Sequence, residues 1–441
     1  MKQNLQIRAV IHLSSTAVYT VVGYPDNHGK ILKIMAVGVA KTNGFFGGQI
    51  ANHQELLEAI KQSANQAMDM AGLDIFDVGL SFATPSMASG NGKGGLALVT
   101  PNSTSAGRII HSGDVLLILE QLQHELLESR YYPIQISTQF AQLDDDSKRI
   151  TKNPVGLYAK SLFIGYHAIS VPRTYHQQMD AIFAKSSLGI HPTLFAGVAG
   201  AEYALSKEEK ERGVCFVDIG AGVTNVCVYS GGMLVFSRCL SVAGRAVDLD
   251  IARWLNVSVM EAEFIKQSQG SAYSSDKPKS HFITLQRNGK HDEIIINQHE
   301  LASVIEDRYY AIFTKIFQSL DKEELMGFLK AGIVLAGGGS KIKDLQRMIE
   351  RRFNIAVRQM NVNNCVSICA NHLNDDNIRR INGYLSDNVL HNAIGALLYQ
   401  QHEQYAQDER FLYSQEHPQQ GLFGRLSQRY HQWTNRLKRW M

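Results

Sequence analysis

The sequence has no long run of uncharged apolar residues, although a membrane-spanning helix requires about 20 of them. The most apolar stretch near the N-terminus, residues 9–22, is interrupted by His12 and by the polar residues 14–16. An export signal needs a continuous apolar segment, so this stretch does not fit one. Its pattern instead predicts two strands, 6–13 and 17–23, joined by a tight polar turn.

Cysteine is sparse, and its number is odd. The five residues are Cys215, Cys227, Cys239, Cys365 and Cys369. Because the first three lie in strand-like apolar runs, the pattern argues against a disulfide framework and indicates buried thiols in a reducing compartment. No second Cys or His pair stands at zinc spacing from the last two, so no metal site is predicted there. The net charge of +3 argues against nucleic acid as a partner.

Acidic residues are absent after Glu416, whereas five basic residues follow it. Apolar side chains in this tail recur every three or four positions, as on one face of a helix. The charges disfavour a position across the bilayer. Residues 421–441 are therefore predicted to form an amphipathic helix in the interface of an anionic membrane, after a polar linker at 401–420. The predicted membrane contacts are Leu422, Phe423, Leu426, Arg429, Tyr430, Trp433, Arg436, Leu437 and Trp440. The alternative is a helix packed on its own protein.

With 441 residues and 44% apolar composition, the chain is long enough for at least two globular domains. A strand–turn–strand pattern near residues 10–23 recurs near 214–229, which predicts two related halves around a cleft. Residues 78–100 are rich in Gly and Ser and are predicted to form a small α+β insertion with a flexible tip. Residues 270–295 are polar and are predicted to be irregular.

The segment from Val217 to Thr224 ends an apolar strand with a carboxylate, and two glycines follow it. Glycines let backbone N–H groups approach an anion closely, and the Thr224 hydroxyl can add a donor. Asp218 could hold a magnesium-bound water beside phosphates. The segment therefore predicts a phosphate-binding turn that includes Gly220 and Gly222. The alternative interpretation is an ordinary β-hairpin.

A second glycine turn lies between an apolar strand at 331–335 and a predicted helix. Such a corner can bind phosphate or adenosine at the helix N-terminus. Its glycines are Gly337, Gly338 and Gly339. Glu263 and Lys266 lie one turn apart on another predicted helix and could bind a ribose and an adenine edge. The alternatives are an ordinary strand–helix loop and a solvated pair of charges.

The turn at 218–224 resembles the second phosphate loop of the superfamily that contains actin, sugar kinases and heat-shock chaperones. Further segments resemble, in order, the FtsA family of bacterial cell division proteins in that superfamily. They are Lys152-Asn153-Pro154-Val155-Gly156-Leu157, Leu194-Phe195-Ala196-Gly197, the stretch 213–244, Val304-Ile305-Glu306-Asp307-Arg308-Tyr309 and Ala331-Gly332-Ile333-Val334-Leu335-Ala336-Gly337-Gly338. These matches span about residues 5–400, and the tail adds another.

This resemblance implies an α/β, actin-like (ribonuclease H-like) fold with two domains and four subdomains, in which subdomain 1C replaces 1B, followed by the C-terminal amphipathic helix. The implied boundaries are 1A at 1–84, 161–205 and 371–400, 1C at 85–160, 2A at 206–244 and 326–370, and 2B at 245–325.

The resemblance also implies that ATP and Mg²⁺ lie between the two halves. Ser14 and Ser15 then belong to the first phosphate loop, and Asp218 holds Mg²⁺ through a water. Gln139 stands where the family keeps a Gln that could order an attacking water. The implied nucleotide contacts further along the chain are Gly220, Gly222, Thr224, Glu263, Lys266, Gly337, Gly338 and Gly339.

The first phosphate loop departs from the family pattern, which has an acid followed by a glycine and a hydroxyl residue. Here His12 stands for the acid, Ser14 for the glycine, and Ala17 for the usual Lys. A histidine does not replace a carboxylate among the oxygen ligands that Mg²⁺ prefers. ATP is therefore expected to bind but to be hydrolysed slowly or not at all. The alternatives are an empty, degenerate cleft and, for His12 alone, a strand histidine bonded to a neighbouring backbone group.

The implied function is structural. The protein would polymerise on the cytoplasmic face of the inner membrane at the division site, bind the C-terminal tail of FtsZ there and recruit later division proteins. Arg308, on a predicted helix at 300–320, is the implied contact for the partly acidic FtsZ tail, with an internal ion pair as the alternative. Two other classes are an actin-fold small-molecule kinase, which needs an intact first loop, and a pilus-assembly actin homologue, which lacks the hexapeptide at 152–157.

Removal of residues 421–441 is expected to release the protein into the soluble fraction. Each basic residue near anionic lipid contributes about 1 kcal/mol, so a single tail binds weakly and a polymer of many tails binds firmly. Trp433→Glu is expected to act like the deletion. The measurement is co-sedimentation with anionic liposomes, and undiminished co-sedimentation of the truncated protein would contradict the prediction.

Overall fold

The computed structural model describes residues 7–26, 31–98, 107–127, 130–286, 293–361, 365–370 and 373–400. The predicted linker at 401–420 and the predicted amphipathic helix at 421–441 lie outside the described residues. Within the described ranges, no helix is long and apolar enough to cross a bilayer.

The strands are, in chain order, β1 (Arg8–Leu13), β2 (Ala17–Pro25), β3 (Leu32–Lys41), β4 (Phe45–Phe46), β5 (Gln49–Ile50), β6 (Asp77–Phe82), β7 (Ala88–Ala97), β8 (Arg108–Ile109), β9 (Tyr131–Leu143), β10 (Ile150–Thr151), β11 (Tyr158–Ala159), β12 (Ser161–Pro172), β13 (Gly189–Phe195), β14 (Val214–Ile219), β15 (Thr224–Ser230), β16 (Met233–Leu240), β17 (Phe282–Gln286), β18 (Glu293–Asn297), β19 (Ile333–Ala336), β20 (Val357–Gln359) and β21 (Val366–Ile368). The helices are α1 (His53–Ala71), α2 (Ser112–Leu127), α3 (Arg173–Ser186), α4 (Ala196–Ala204), α5 (Lys207–Arg212), α6 (Gly244–Leu255), α7 (Val259–Gln269), α8 (Gln298–Lys322), α9 (Leu345–Phe353), α10 (Asp375–Ser386) and α11 (His391–Tyr399).

Two sheets repeat one topology. The first has the strand order β13-β6-β1-β2-β3-β21, and the second has the order β16-β15-β14-β19-β20. In each, three consecutive strands form an antiparallel meander, and two later strands extend the sheet in parallel from its first strand. The repeat that the sequence predicted between residues 10–23 and 214–229 is thus present in the strand pairing.

Both sheets lie in one compact unit, formed by Met1–Asn91, Arg130–Gln135 and His167–Tyr399. Strand β14, in the centre of the second sheet, is buried along its whole length, as expected of a strand covered on both faces. Helices α4 and α11 pack closely in this unit. A Cβ atom on Gly395 of α11 would lie 1.8 Å from the Ala199 carbonyl oxygen of α4, so glycine is required there. This close packing sets the position of His391 and Asn392 at the start of α11.

The second unit includes Gly92–Ser129 and Ile136–Tyr166. The predicted flexible tip is wrong, because the Gly-rich residues belong to strand β7. Cβ atoms on Gly92 and Gly95 would lie 2.3 Å from the rings of Tyr166 and Phe163. The glycines therefore serve side-chain packing rather than chain flexibility. The subdomain boundaries implied by the resemblance stay a prediction.

The expectation of irregular structure at 270–295 is also wrong in part. β17 and β18 form an antiparallel pair in which Ile283 faces Ile296 and Leu285 faces Ile294. These four side chains pack with the core of the second sheet. The apolar alternation was present in the sequence, but the polar residues around it obscured it.

Candidate functional site

A cavity of about 300 Å³ opens within the first unit. Separate parts of the chain line it: the turn after β1, the turn between β14 and β15, the start of α6, helix α7, the turn after β19 and the start of α11. Of the residues predicted from the sequence, the structure places these in its wall: Ser14, Ser15, Asp218, Gly220, Glu263, Lys266, Gly337, Gly338 and Gly339. The cavity is therefore the candidate functional site.

The turn after β14 is a tight hairpin in which the Gly220 N–H donates to the Val223 carbonyl at 3.0 Å. The hairpin of the alternative interpretation is thus present, and its turn borders the cavity, while phosphate binding by the turn stays a prediction. The Thr224 hydroxyl donates to the Val242 carbonyl at 2.7 Å and is fully buried, so its proton is not available to a ligand. Gly222 allows the two halves to meet, because a Cβ atom there would lie 2.6 Å from Ser15 Oγ.

The turn after β1 is closed by its own hydroxyl groups. Ser14 Oγ donates to the Ala17 carbonyl at 2.9 Å and accepts the backbone N–H of Ala17 at 3.1 Å. Ser15 Oγ accepts the Gly47 N–H at 3.1 Å. The Ser14 and Ser15 hydroxyls therefore stabilise the loop. Only the hydrogen-bonding positions that these contacts leave unused are available to a ligand.

Asp218, at the end of β14, is buried, and nitrogen atoms surround its carboxylate. Oδ1 lies 3.4 Å from His391 Nε2, and Oδ2 accepts from Asn392 Nδ2 at 3.1 Å and from Asn225 Nδ2 at 3.3 Å. Burial raises the pKa of Asp218, but His391 and the two amides lower it by more, and the net shift is downward. The carboxylate is therefore ionised and enclosed.

The ring of His391 lies between a backbone carbonyl and the Asp218 carboxylate. Nδ1 lies 2.7 Å from the Asn388 carbonyl oxygen, which only accepts, and Nε2 faces the Asp218 carboxylate. Nδ1 must therefore bear a proton, whereas Nε2 has no hydrogen-bond partner. Burial lowers the pKa of His391, but the adjacent Asp218 charge raises it, and the net shift is upward.

His12 is the neutral histidine of the same cluster. Its Nδ1 lies 3.2 Å from the Ser81 carbonyl oxygen, and Asn392 Nδ2 lies 3.5 Å from its Nε2. Burial, together with the charge of His391, lowers the pKa of His12 to about 4. The sequence interpretation of His12 as a strand histidine bonded to a backbone group agrees with this geometry.

The opposite wall of the cavity is built on ion pairs. Lys266 Nζ lies 2.6 Å from Asp248 Oδ1 and donates to the Gly244 carbonyl at 3.3 Å. Glu263 lies 3.7 Å from Arg245 across the two helices α6 and α7. Lys266 is thus partly buried in an ion pair rather than fully solvated, and both predicted residues still border the cavity.

The glycine turn after β19 lies against the carboxylate cluster. Gly337 has φ +83°, and a Cβ atom there would lie 2.3 Å from Asp218 Oδ1. Tyr309 donates its hydroxyl to the Gly339 carbonyl at 2.5 Å, which anchors the turn to helix α8. The backbone at Gly337 can therefore approach a ligand where a side chain would collide with Asp218.

The Asp218 carboxylate has one oxygen without a hydrogen-bond donor. Two amide nitrogens donate to Oδ2, whereas Oδ1 has only His391 Nε2 nearby, at 3.4 Å. The described residues contain no cluster of three or more His, Cys, Asp or Glu side chains that could hold a metal directly. The predicted role of Asp218, which holds Mg²⁺ through a water, stays a prediction. Gln139 lies on β9 in the second unit, and its role stays a prediction.

Sequence reasoning missed His391, Asn392 and Asn225. The available signal was the polar pair His391 and Asn392 directly before an apolar segment, because polar residues in a packed helix need partners. Arg308, the predicted partner contact, makes a bidentate ion pair with Asp250 at 2.5 and 2.9 Å and remains one-third exposed. The alternative of an internal ion pair is thus what the structure shows, with a partner on α6.

The repeated sheets and the glycine turns between them define the class of actin-like folds. A solved structure, the PilM-PilN type IV pilus biogenesis complex, matches with a TM-score of 0.57 at 16% identity, covering 88% of this chain and 97% of that chain. This likeness shows the fold.

Sequence comparisons identify the particular relatives. The family model "Cell division protein FtsA" matches residues 215–379. The FtsA of Buchnera aphidicola subsp. Schizaphis graminum is 27% identical over 371 residues, covering 81% of this chain and 85% of its own length. That of Escherichia coli (strain K12) is 26% identical over 359 residues, covering 79% and 82%. The resemblance to the FtsA family is thereby confirmed, and the chain is an actin-like relative of this cell division protein.

The low pKa of His12 predicts a specific loss of stability in acid. His12 binds a proton in the unfolded chain below its ordinary pKa of 6.5, but in the folded chain only near 4. Protonation of His12 below pH 6.5 therefore favours the unfolded chain. Lowering the pH from 7 to 5 is expected to reduce the free energy of unfolding by about 2 kcal/mol through this group.

Denaturant titrations at pH 7 and pH 5 measure this effect. His12→Gln is expected to reduce the loss between the two pH values by about 2 kcal/mol relative to the parent chain. His53→Gln, at an exposed histidine on α1, is the matched control. Equal pH dependence of the two variants would contradict the prediction.

Proposed function

We propose that this chain is an actin-like cell division protein that binds ATP in the cavity, polymerises on the cytoplasmic face of the inner membrane and tethers FtsZ filaments there. Later division proteins would then join this assembly. The observation that carries the proposal is the similarity to curated FtsA proteins over about four-fifths of the chain. The cavity between the two repeated sheets supports it, because its wall contains both glycine turns that the sequence predicted.

The cavity suits a nucleotide in its shape and backbone chemistry. The turns at Gly220 and Gly337–Gly339 expose backbone near a buried charge cluster, and backbone N–H groups in such turns bind phosphate oxygens. Glu263, Lys266 and Arg245 border the cavity on the side of α6 and α7, where a nucleoside would lie. The volume of about 300 Å³ is at the lower end of that of small-molecule sites.

Hydrolysis is expected to be slow, because phosphoryl transfer depends on charge stabilisation at the phosphates. His12 is neutral and bonded to Ser81, and Asp218 is enclosed by nitrogen donors. Neither is poised to activate water. The nucleotide would then act as a structural ligand that stabilises the closed cleft by mass action.

Isothermal titration of the full chain with ATP tests this proposal, with turnover measured in parallel. Binding at submillimolar concentration is expected, with turnover well below about 1 s⁻¹, the low end of ordinary enzyme rates. Gly337→Ala is expected to abolish binding, and Gly383→Ala, at an open helical position, is the matched control. Absence of ATP binding by the folded parent chain would refute nucleotide binding, and faster turnover would refute slow hydrolysis.

The proposed contact for the FtsZ tail lies on helix α8 near Arg308. The guanidinium is one-third exposed and already held in a fixed orientation by Asp250. A guanidinium in fixed geometry can bind a further carboxylate with its free N–H groups. The ion pair within the chain and a contact with an acidic peptide are therefore compatible.

Arg308→Glu is expected to weaken binding of an FtsZ C-terminal peptide about tenfold or more, since it turns an attractive charge into a repulsive one. Asp250→Asn removes the internal ion pair but keeps the guanidinium, so it is expected to preserve binding. Arg379→Glu, at an exposed ion pair with Asp376 on helix α10, is the charge-matched control. Fluorescence anisotropy measures the affinities, and unchanged affinity of a folded Arg308→Glu protein would remove Arg308 from the site.

The other two classes have less support. An actin-fold kinase needs an intact first phosphate loop, and this chain has His12 and Ser14 there. The likeness to the pilus complex, at 16% identity, concerns the fold alone.

A further inference from the structure

Lysine and arginine side chains line the cavity on only some of its walls. Among the residues that the structure describes, they are Arg245, Lys266 and Lys341. The turn after β1 contributes none, because this chain has Ala17 where the family pattern has a Lys. A phosphate chain in the cavity therefore has to find its cationic partner on α6, on α7 or in the turn after β19.

The two lysines are held by short contacts. Lys266 Nζ lies 2.6 Å from Asp248 Oδ1, and its side chain is 12% exposed, so its charge is balanced where it stands. Lys341 is exposed, and its Nζ donates to the Asp387 carbonyl at 2.6 Å, which holds the ammonium at that loop. Neither ammonium group is thus free to follow a ligand into the cavity.

Arg245 differs from the lysines in the length and the exposure of its ion pair. Its Nη1 lies 3.7 Å from Glu263 Oε2, beyond the usual hydrogen-bond distance of about 2.7–3.2 Å. The two side chains are 41% and 44% exposed. An exposed ion pair without a hydrogen bond contributes little to stability. Arg245 can therefore leave Glu263 when a stronger acceptor enters the cavity.

The backbone of Arg245 is fixed beside the turn that follows β14. Its N–H donates to the Ala221 carbonyl at 2.8 Å, and the Gly244 N–H donates to the Gly220 carbonyl at 3.1 Å. The first turn of α6 and the predicted phosphate-binding turn are thus bonded to each other. A phosphate at this turn lies within reach of the Arg245 guanidinium, because that side chain begins at the turn itself.

A guanidinium group suits a phosphate in this position. It presents five N–H donors in a planar fork that matches two oxygens of one phosphate. The Glu263 carboxylate carries a single negative charge, whereas the phosphate chain of ADP or ATP carries several. The phosphate chain is therefore the stronger competitor for the Arg245 cation.

We infer that Arg245 recognises the phosphate chain of the nucleotide: it leaves Glu263 and binds a phosphate at the turn 220–222 when the ligand enters. This inference rests on the proposed binding of ATP. It assigns to α6 the positive charge that the first phosphate loop lacks. Glu263 is then released for the nucleoside side of the cavity, where the sequence predicts a ribose contact.

Isothermal titration of the full chain with adenosine, ADP and ATP compares Arg245→Gln with the parent chain. The variant is expected to lose about tenfold or more in affinity for ADP and ATP, because a charge-assisted contact to phosphate is removed. Its affinity for adenosine, which has no phosphate, is expected to stay within about twofold. If adenosine binds too weakly to titrate, its displacement of a fluorescent ATP analogue gives the same comparison.

Arg245→Lys keeps the charge but not the planar fork, so it is expected to recover part of the lost ATP affinity. A purely structural role of Arg245 would not produce a loss confined to the phosphorylated ligands. Arg253→Gln is the matched control, because Arg253 lies on the same helix, is 75% exposed and pairs with Asp250. Circular dichroism checks that each variant folds.

Unchanged ATP affinity of folded Arg245→Gln, or an equal loss for adenosine and ATP, would overturn the inference and leave nucleotide binding intact. If Arg245→Gln does not fold, Arg245→Lys provides the same comparison. A larger loss for ATP than for adenosine then supports the inference, and equal affinities to those of the parent chain overturn it. Absence of ATP binding by the parent chain would instead refute the proposed nucleotide binding, and the inference with it.

Discussion

The burial of the Asp218 carboxylate is the constraint on which the site depends. An ionised carboxylate removed from water is stable only if donors replace its hydration, and here His391, Asn392 and Asn225 do so. Two of these donors stand at the start of α11, and the third is on β15. The cluster therefore joins the second sheet to helix α11.

That helix can supply its donors only because it approaches α4 closely. Gly395 removes a side chain where α11 meets the Ala199 carbonyl, and a Cβ atom on Gly200 would lie 2.4 Å from Asn392 Oδ1. Small residues at a helix contact thus determine where polar side chains lie some distance away. A packing requirement and an electrostatic requirement are satisfied by the same two helices.

The two histidines of the cluster show how neighbours decide charge. His12 and His391 are both buried, yet the pKa of His12 is lowered to about 4 and that of His391 is raised. His12 has a carbonyl on one nitrogen and an amide on the other, whereas His391 has acceptors on both. The opposite pKa shifts thus follow from what the ring nitrogens of each histidine face.

The sequence by itself determined the repeated strand pattern, the glycine turns and the membership of most predicted cavity residues, because apolar periodicity and glycine position are local properties. It also indicated the family, through motifs that are contiguous in the chain. Only the tertiary structure decided that Asp218 is enclosed by His391 and Asn392, since these residues are more than 170 positions away and their meeting depends on helix packing. It likewise decided that the Thr224 hydroxyl donates to the Val242 carbonyl, that the Gly-rich segment is a strand and that Arg308 pairs with Asp250. In each case the deciding partner is remote in sequence, and no local pattern records which remote groups come within hydrogen-bonding distance.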